Sequence, residues 1–451
     1  MDSGIRQPLW KKLAYSCGSL GASVTNQTVG FYLLYFYVDV VGLPLAYYQW
    51  GMVAYALWNA VNDPLAGHLS DRTRSRWGRR IPYILFLSLP LALSFALVWT
   101  PPAGVPAAWL FAYFLGVLFL YDTLFTFVVL NWTALFPEMY STLEDRAQVS
   151  ALRQVLAIVG LVLGVALAPI LYTSLGWTTM GILLALVALA AMLVSLTGSR
   201  ERPEVHGGES FPLGPALKLT FGNPTFVAFV LVSLLVQSAF GIMQATMPLY
   251  AKYVLGAPEA QVTLLWAVIF GATLVMFFVW PFITNRLGPR KATMLGIVLF
   301  ALALIPFRYL TSLSGALVTL PAIGIGLAGL MMLIDVLIAD VVDEDQVRTG
   351  ARREGMYFGV NGFVIRLGIA LQGIIVGQVL RAGHYVRGAV GAQPPEAIAA
   401  LRALLTWVPW VILALAFVAA LLYPLDGRRL AAMKAKLAEV QARRAGPPAP
   451  P

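Results

Sequence analysis

The chain has 451 residues, of which 59% are hydrophobic and only 12% are charged. A soluble domain carries about 25% charged residues, so this composition excludes an ordinary soluble protein. The formal net charge of +10 could suggest nucleic-acid binding. The basic residues are concentrated between apolar runs, however, and a membrane topology explains their excess better than a nucleic-acid partner.

Apolar runs of about 20 residues recur along the chain, and each is long enough to cross a bilayer core of about 30 Å as a helix. A transmembrane barrel is excluded, because its strands alternate over only about 10 residues. The sequence therefore predicts an all-α polytopic membrane protein with twelve transmembrane helices. The predicted spans are 13–37, 44–69, 81–100, 107–135, 150–173, 177–196, 220–249, 260–284, 292–309, 312–339, 356–380 and 403–424.

The spans divide into two groups of six around the polar segment TGSRERPEVHGGESFPLGP, whose Pro, Gly and charged residues are typical of a surface linker. A short repeat supports two related halves: SDRTRSRWGRR follows span two and TNRLGPRK follows span eight. Repeated halves are typical of secondary transporters. The predicted divisions are a six-helix bundle at 1–196, a cytoplasmic linker at 197–219, a second six-helix bundle at 220–424 and a basic cytoplasmic tail at 425–451.

Lysine and arginine are unevenly distributed between the two sets of loops. With the N-terminus placed inside, 25 of the 31 lie on the inner side, five lie outside, and Arg366 is within a span. The positive-inside rule then predicts that both termini are cytoplasmic, in a plasma or bacterial inner membrane. The tail DGRRLAAMKAKLAEVQARR has helical spacing and a basic face, which predicts a helix on the anionic inner leaflet. Partner binding by the tail is the alternative.

Ionisable residues inside spans are functional candidates, because each costs about 2.5–3.5 kcal/mol on insertion scales. Asp63 lies in span two, and Asn59, four residues earlier, shares its helix face. Carboxylate and amide oxygens suit Na⁺, and a carboxylate can also carry a proton. Asp63 and Asn59 are therefore the candidate cation site. The alternative is that Asp63 forms a salt bridge or helix cap at the cytoplasmic gate.

A second set of residues inside spans could contact the transported solute. Arg366 lies ten residues into its span and requires an anion, either a neighbouring acid or a group of the substrate. Trp132 could stack on a sugar ring. Uncharged polar residues could equally join helices, at about 0.6 kcal/mol each. The candidate substrate-binding residues are Asn26, Gln27, Asp122, Asn131, Trp132, Arg153, Gln237, Asn361 and Arg366.

Charges also cluster at the predicted inner ends of the helices. We expect the arginine-rich loop after span two to engage acids of neighbouring helices when the cytoplasmic side is closed. The negative end of a helix dipole also favours arginine there. The candidate gate residues are Arg72, Arg76, Arg79, Asp340 and Arg352.

The sequence shows no arrangement typical of an enzyme. Its three histidines lack the spacing of metal ligands, and the phosphate-binding motif GxxxxGK[ST] is absent. Transport energy is therefore expected from H⁺, Na⁺ or the gradient of the solute itself, with no cofactor. The expected partners are a small-molecule substrate and the lipid bilayer, without nucleic acid, and the chain is expected to be a monomer.

Four stretches carry a family resemblance: YFYVDVVGL, the run from WNAVNDPLAG to TRSRWGRRIPYI, LFPEMYSTLEDRAQVSALR and ADVVDEDQVRTGARREGMYFGV. They resemble, in order along most of the chain, motifs of the glycoside-pentoside-hexuronide:cation symporter family. This family is the melibiose-permease-like branch of the major facilitator superfamily. The resemblance implies alternating access between two six-helix bundles and cation-coupled transport of a sugar or glycoside.

The resemblance also implies a cation site in helix two, where the sugar porters of the family usually carry two aspartates one turn apart. Asp63 keeps the second of these positions, but Asn59 occupies the first. With one acid fewer, a Na⁺ site would be weaker, and a proton could serve instead.

The sugar-binding acids of the family fall on Ser23 and on Val128 or Val129, whereas its helix-five arginine is kept as Arg153. Its buried helix-eleven lysine corresponds to Arg366. A melibiose-like binding mode is therefore not supported. Animal lysolipid symporters of the same branch share the helix-two motif and the cytoplasmic loops. Apolar side chains at the two valines are compatible with an amphiphile such as a lysolipid or drug, which is the alternative substrate.

Overall fold

A computed structural model describes residues 7–140, 143–201, 220–349, 353–388 and 393–445. Within these ranges all regular secondary structure is helical. Ten of the described helices are long and apolar enough to cross a membrane. The predicted all-α membrane fold is therefore confirmed.

The first part of the chain contains seven helices. Pro8, Pro44 and Pro106 immediately precede three of them, where a residue without a backbone N–H removes no helical hydrogen bond. Two of the helices continue through short π-helical turns, at Tyr35–Val40 and Val162–Leu167. The helices are α1 (Leu9–Leu34), α2 (Leu45–Arg72), α3 (Ile81–Val98), α4 (Ala107–Met139), α5 (Leu143–Leu161), α6 (Ala168–Leu175) and α7 (Trp177–Gly198).

The described remainder contains nine further helices, with 3₁₀ turns at Glu259–Gln261 and Ile305–Arg308. Gly288 separates two of the helices with a φ of 80°, a conformation that glycine adopts without strain. The helices are α8 (Pro224–Tyr253), α9 (Val262–Met276), α10 (Trp280–Leu287), α11 (Pro289–Leu304), α12 (Leu313–Thr349), α13 (Glu354–Ala382), α14 (Pro395–Leu405), α15 (Trp407–Leu421) and α16 (Gly427–Ala445).

All twelve predicted spans overlap helices, although three of them consist of two consecutive helices: α5 with α6, α9 with α10, and α14 with α15. The first two helices are not among the ten apolar ones. Their polar side chains, such as Asn26 and Gln27 in α1 and Asn59 and Asp63 in α2, lower their hydropathy. These two helices thus carry both candidate cation residues and two of the nine candidate substrate residues.

The described residues pack as two compact units. The first falls within Met1–Gly208, Gln244–Ala267 and Gly373–Leu401, and the second within Glu209–Met243, Val268–Gln372 and Arg402–Pro451. Within the first unit, Lys252 and Tyr253 at the end of α8 and Tyr385 after α13 bond to Asp39 in the turn after α1. The proposed division at 196, 220 and 424 remains a prediction. Residues 202–219 of the predicted linker lie outside the described residues.

In the first unit, glycines allow close contact between helices. A Cβ atom on Gly160 would lie 2.6 Å from the carbonyl oxygen of Leu20, and one on Gly164 would lie 2.7 Å from that of Val24. Small residues permit this approach of two backbones in membrane helices. The α1–α5 contact therefore depends on these positions.

In the second unit, the tail helix α16 packs against a core cluster. Met433 is buried and Leu430 is partly buried beside Phe226, Leu337 and Tyr357. The predicted position on the inner leaflet would have placed this apolar face in lipid, whereas protein covers it. The basic residues Arg428, Lys434 and Lys436 remain exposed.

Candidate functional site

Four residues of α2 and α4 form a polar cluster in the first unit, named here the Asp122 cluster. Asp122 accepts hydrogen bonds from Tyr55 Oη at 3.1 Å, from Asn62 Nδ2 at 3.1 Å and from Asn59 Nδ2. The three donors are spaced by four and three residues along α2, so they lie on one face of that helix. Asp122 itself is only 2% exposed.

The two predicted cation residues, Asn59 and Asp63, bond to different side chains of α4. Asn59 bonds to Asp122, which was assigned to the substrate by sequence, whereas Asp63 accepts a hydrogen bond from Thr126 Oγ1 at 3.2 Å. Asp63 is half-buried. Asp122 and Thr126 are four residues apart, so both carboxylates lie along one α2–α4 contact.

Asp122 differs from most buried acids in its electrostatic surroundings. The groups that act on its carboxylate are Asn62, Asn59, Tyr55 and Asp63. Among the described residues, no lysine or arginine is paired with it. A buried carboxylate without a cation is unfavourable in the ionised form. The cluster is therefore suited to binding a proton or a small cation.

Further along α4, Trp132 lies in a group of aromatic and basic residues. Its Nε1 donates to the carbonyl oxygen of Tyr15 at 3.1 Å, and the Tyr15 hydroxyl donates back to the carbonyl oxygen of Trp132 at 2.9 Å. The guanidinium of Arg153 lies 4.5 Å from the centre of the indole ring, within cation–π range. Arg153 therefore covers the ring face that was expected to stack on a sugar.

The other candidates of the first unit lie in different environments. Asn131 is fully buried and donates to the carbonyl oxygen of Phe127 at 2.8 Å, and its Oδ1 has no partner in the part of the chain that the structure describes. Asn26 is exposed and Gln27 is half-buried. None of these three bonds to Asp122 in the described structure, so the predicted residues do not form one group.

Three candidates belong to the second unit. Gln237 and Arg366 are half-buried. Asn361 is 9% exposed and its Oδ1 has no partner among the described residues. An unpaired buried amide oxygen is costly, which makes Asn361 the best placed of the three to accept a bond from a solute hydroxyl.

Of the predicted gate residues, Arg79 forms ion pairs with two acids of the first unit. Arg79 Nη2 lies 2.7 Å from Glu138 Oε1, and its Nε lies 3.3 Å from Glu201 Oε1. Arg80 Nη2 also reaches Glu138, at 2.9 Å. An acid at the end of α4 thus meets the arginine-rich loop, as expected.

The remaining gate candidates lie in other surroundings. Arg72 and Arg76 are exposed, and the guanidinium of Arg76 lies 4.2 Å from the Trp77 ring. Asp340 is buried, and one of its oxygens lies 3.7 Å from Lys434 Nζ. Arg352 lies outside the described residues.

The sequence did not single out a second buried carboxylate, Asp39, in the π-helical turn after α1. Its Oδ2 pairs with Lys252 Nζ at 2.7 Å, and its Oδ1 accepts from Tyr253 Oη at 2.7 Å and from Tyr385 Oη. We call these four residues the Asp39 cluster. Lys252 is one of only five basic residues on the predicted outer side, and that scarcity was the available signal.

Buried polar groups inside apolar membrane helices are typical of proteins that move ions or solutes across a membrane. Residues 14–427 match the family described as "MFS/sugar transport protein". The chain belongs to that family and is a secondary transporter.

Curated relatives support the same class. The isoprimeverose transporter of Lactiplantibacillus pentosus is 26% identical over 93% of this chain and 89% of its own. The sodium-dependent lysophosphatidylcholine symporter 1 of Gallus gallus is 25% identical over 94% of this chain and 88% of its own. The crystal structure of a D-xylose-proton symporter has 15% identity and a TM-score of 0.68, covering 92% of this chain and 96% of that chain, which supports the fold alone.

Proposed function

We propose that the chain is a cation-coupled symporter of a sugar or glycoside, with both termini in the cytoplasm. The observation that carries this proposal is the Asp122 cluster, a carboxylate buried between two membrane helices and paired with no lysine or arginine among the described residues. Such groups mark ion pathways in membrane proteins. The similarity to an isoprimeverose transporter favours a sugar as the solute.

In the proposed cycle, a cation neutralises the carboxylates along the α2–α4 contact before the two bundles change access. Neutralisation lowers the cost of keeping the site away from water. The bonds of Arg79 and Arg80 to Glu138 and Glu201 join the start of α3 to the end of α4 and to the chain after α7. In the proposed cycle they hold the cytoplasmic ends of the first unit together while the two bundles change access.

For the solute, Arg153 is the strongest candidate of the first unit. Its guanidinium is held over Trp132, and its N–H groups can donate to the hydroxyl oxygens of a sugar. Asn361 offers an unpaired amide oxygen in the second unit. The other substrate candidates, Asn26, Gln27, Asn131, Gln237 and Arg366, remain proposals on their polarity alone.

The first test is uptake by proteoliposomes supplied with radiolabelled mono- and disaccharides, including isoprimeverose, under imposed H⁺ or Na⁺ gradients. At least one sugar should accumulate with one gradient, and Asp122→Asn and Asp63→Asn should remove the gradient dependence. Glu396→Gln is the matched control, since this acid is exposed at the start of α14. The proposal fails if no sugar accumulates, or if both aspartate variants accumulate sugar like the control.

An amphiphile is the second candidate solute, favoured by the similarity to a lysophosphatidylcholine symporter and by apolar Val128 and Val129 on α4. Val128 is fully buried, and its apolar side chain offers no hydrogen-bonding group to a sugar. Uptake of a fluorescent lysophosphatidylcholine into the same proteoliposomes tests this reading. Gradient-driven lysolipid uptake without sugar uptake would replace the first proposal, and sugar uptake alone would remove the second.

A further inference from the structure

We propose that a cavity at the junction of α15 and α16 binds the phosphate headgroup of an anionic phospholipid, whose chains lie along the exposed face of α15. The cavity belongs to the second unit and has a volume of about 570 Å³. The proposal concerns a lipid partner and not the solute, so it does not depend on the proposed symport. The residues that define this tail cavity for the argument are Arg290, Leu421, Leu422, Asp426, Arg428 and Arg429.

The first observation is the charge of the tail cavity. Three arginines line it against a single acid, Asp426, so its net charge is positive. Arg428 and Arg429 in the first turn of α16 are exposed, and neither forms an ion pair with another described residue. The acid is directed to the third arginine, since Asp426 Oδ2 lies 3.7 Å from Arg290 Nη1. An anion that enters the cavity therefore meets two guanidinium groups that no described acid neutralises.

The second observation is that Arg290 is fixed by the protein itself. Its Nε donates to the carbonyl oxygen of Ala420 at 3.2 Å, and its Nη2 donates to that of Leu421. Carbonyl groups in the last turn of a helix have no N–H partner within that helix, so Arg290 satisfies the end of α15. Its side chain is still 25% exposed. A guanidinium held in this way presents its remaining donors in a planar fork, which suits the oxygens of a phosphate.

The third observation is an apolar stripe that leads into the tail cavity. Val411, Leu415, Val418 and Leu422 are between 52% and 69% exposed. Their spacing of four, three and four residues places them on one face of α15 and its C-terminal end. Leu422, the last of them, lines the cavity beside the arginines. Because α15 belongs to one of the apolar spans, this stripe faces lipid chains, and the cavity lies where a lipid headgroup begins.

These three features together favour an anionic phospholipid as the occupant. Its phosphate would bind the arginines, and its chains would cover the stripe. A choline headgroup carries an ammonium group, which Arg428 and Arg429 would repel. Free phosphate could make the same polar bonds, but it leaves the stripe unused. Basic pockets between membrane helices bind anionic headgroups on the cytoplasmic side, where such lipids are concentrated, and the proposed topology places the tail on that side.

Native mass spectrometry of the delipidated protein in a neutral detergent tests the proposal, with dioleoyl phosphatidylglycerol and dioleoyl phosphatidylcholine as probes. We expect phosphatidylglycerol to bind more tightly than phosphatidylcholine. Arg428→Gln combined with Arg429→Gln should weaken phosphatidylglycerol binding by about 30-fold, from the usual contribution of two basic residues beside anionic lipid. The same variant should bind phosphatidylcholine as the wild type does. Both arginines are exposed, so the variant should keep the melting temperature of the wild type.

The matched control removes two basic residues outside the tail cavity, by Arg286→Gln combined with Lys436→Gln. Both side chains are exposed, one on α10 and the other on α16. A neutral detergent has no surface potential, and charges separated by more than about 8 Å are screened at physiological salt, so this variant should bind phosphatidylglycerol like the wild type. The proposal is overturned if the control loses as much affinity as the cavity variant, or if the two lipids bind the wild type equally well.

Two further arms separate a lipid from free phosphate. Leu422→Ser keeps all three arginines and should also weaken phosphatidylglycerol binding, because the chains lose part of the stripe. Inorganic phosphate, added at the same concentration as the lipid, should not compete with it. An unchanged affinity in Leu422→Ser together with full competition by inorganic phosphate would assign the cavity to free phosphate and reject the lipid.

Discussion

Asp39 and Asp122 are both carboxylates in the first unit with almost no exposure, 3% and 2% respectively, but their partners differ. Asp39 pairs with the ammonium of Lys252 and accepts bonds from Tyr253 and Tyr385. Asp122 accepts bonds from two amides and one phenol, and no cation among the described residues is paired with it.

This difference indicates a structural role for Asp39 and a role in binding and releasing an ion for Asp122. A buried carboxylate with its own cation has no need of an ion from solution, and it joins the ends of α1, α8 and the chain after α13. A buried carboxylate with neutral partners keeps its charge only at a cost, so a proton can arrive and leave. The π-helical turn at Tyr35–Val40 contains Asp39.

The largest expected effect on stability comes from breaking the charged cluster. Asp39→Asn removes the nearer acid of the partly buried Lys252, whose other acid, Glu259, lies 3.6 Å away, and removing one partner of a buried ion pair costs up to about 3–5 kcal/mol. Asp122→Asn removes an uncompensated charge and should leave the melting temperature unchanged or raise it. Thermal unfolding in one detergent compares the two variants directly.

A lower melting temperature for Asp122→Asn than for Asp39→Asn would reverse the assignment of roles. Glu396→Gln again supplies the control, because its side chain is exposed at the beginning of α14. It should unfold with the wild type.

A double-mutant cycle sharpens the comparison, with an intermediate effect. Lys252→Met leaves Asp39 without its cation, whereas Asp39→Asn with Lys252→Met removes both charges together. The double variant should be less destabilised than the sum of the single variants, by about 0.5–3 kcal/mol for residues in contact. Additive changes in the unfolding free energy would show that the 2.7 Å contact contributes no coupling.

The comparison also shows what sequence could and could not predict. The spans followed from the apolarity of the chain, which sets helix length through the thickness of the bilayer. The partnership of Asn59 with Asp122 did not, because these residues are 63 positions apart and their meeting depends on the vertical register of α2 against α4. Sequence placed both residues among the candidates but assigned them to different ligands.

Asp39 was missed for a different reason. It lies at the end of an apolar run, where a carboxylate is expected to be solvated, and its partners Lys252 and Tyr385 are more than 200 positions away. Only the packing of three helix ends buries it. Trp132 is the opposite case, a residue that the sequence did single out. Its type suggested stacking on a sugar, but in the structure the guanidinium of Arg153 lies over its ring.

The smallest predicted effects come from removing one hydroxyl in each cluster. Tyr385→Phe removes a donor to the carboxylate that is paired with Lys252, and hydrogen bonds to charged groups contribute about 1.5–3 kcal/mol. Tyr55→Phe removes the 3.1 Å bond to Asp122, which should cost as much only while Asp122 is ionised and about 0.5–1.5 kcal/mol once it is neutral. The cost of Tyr55→Phe should therefore fall as the pH is lowered through the titration of Asp122. Unfolding free energies of this variant and the wild type, measured across the same pH series, check this, and a cost that does not change with pH would argue against an Asp122 that exchanges a proton.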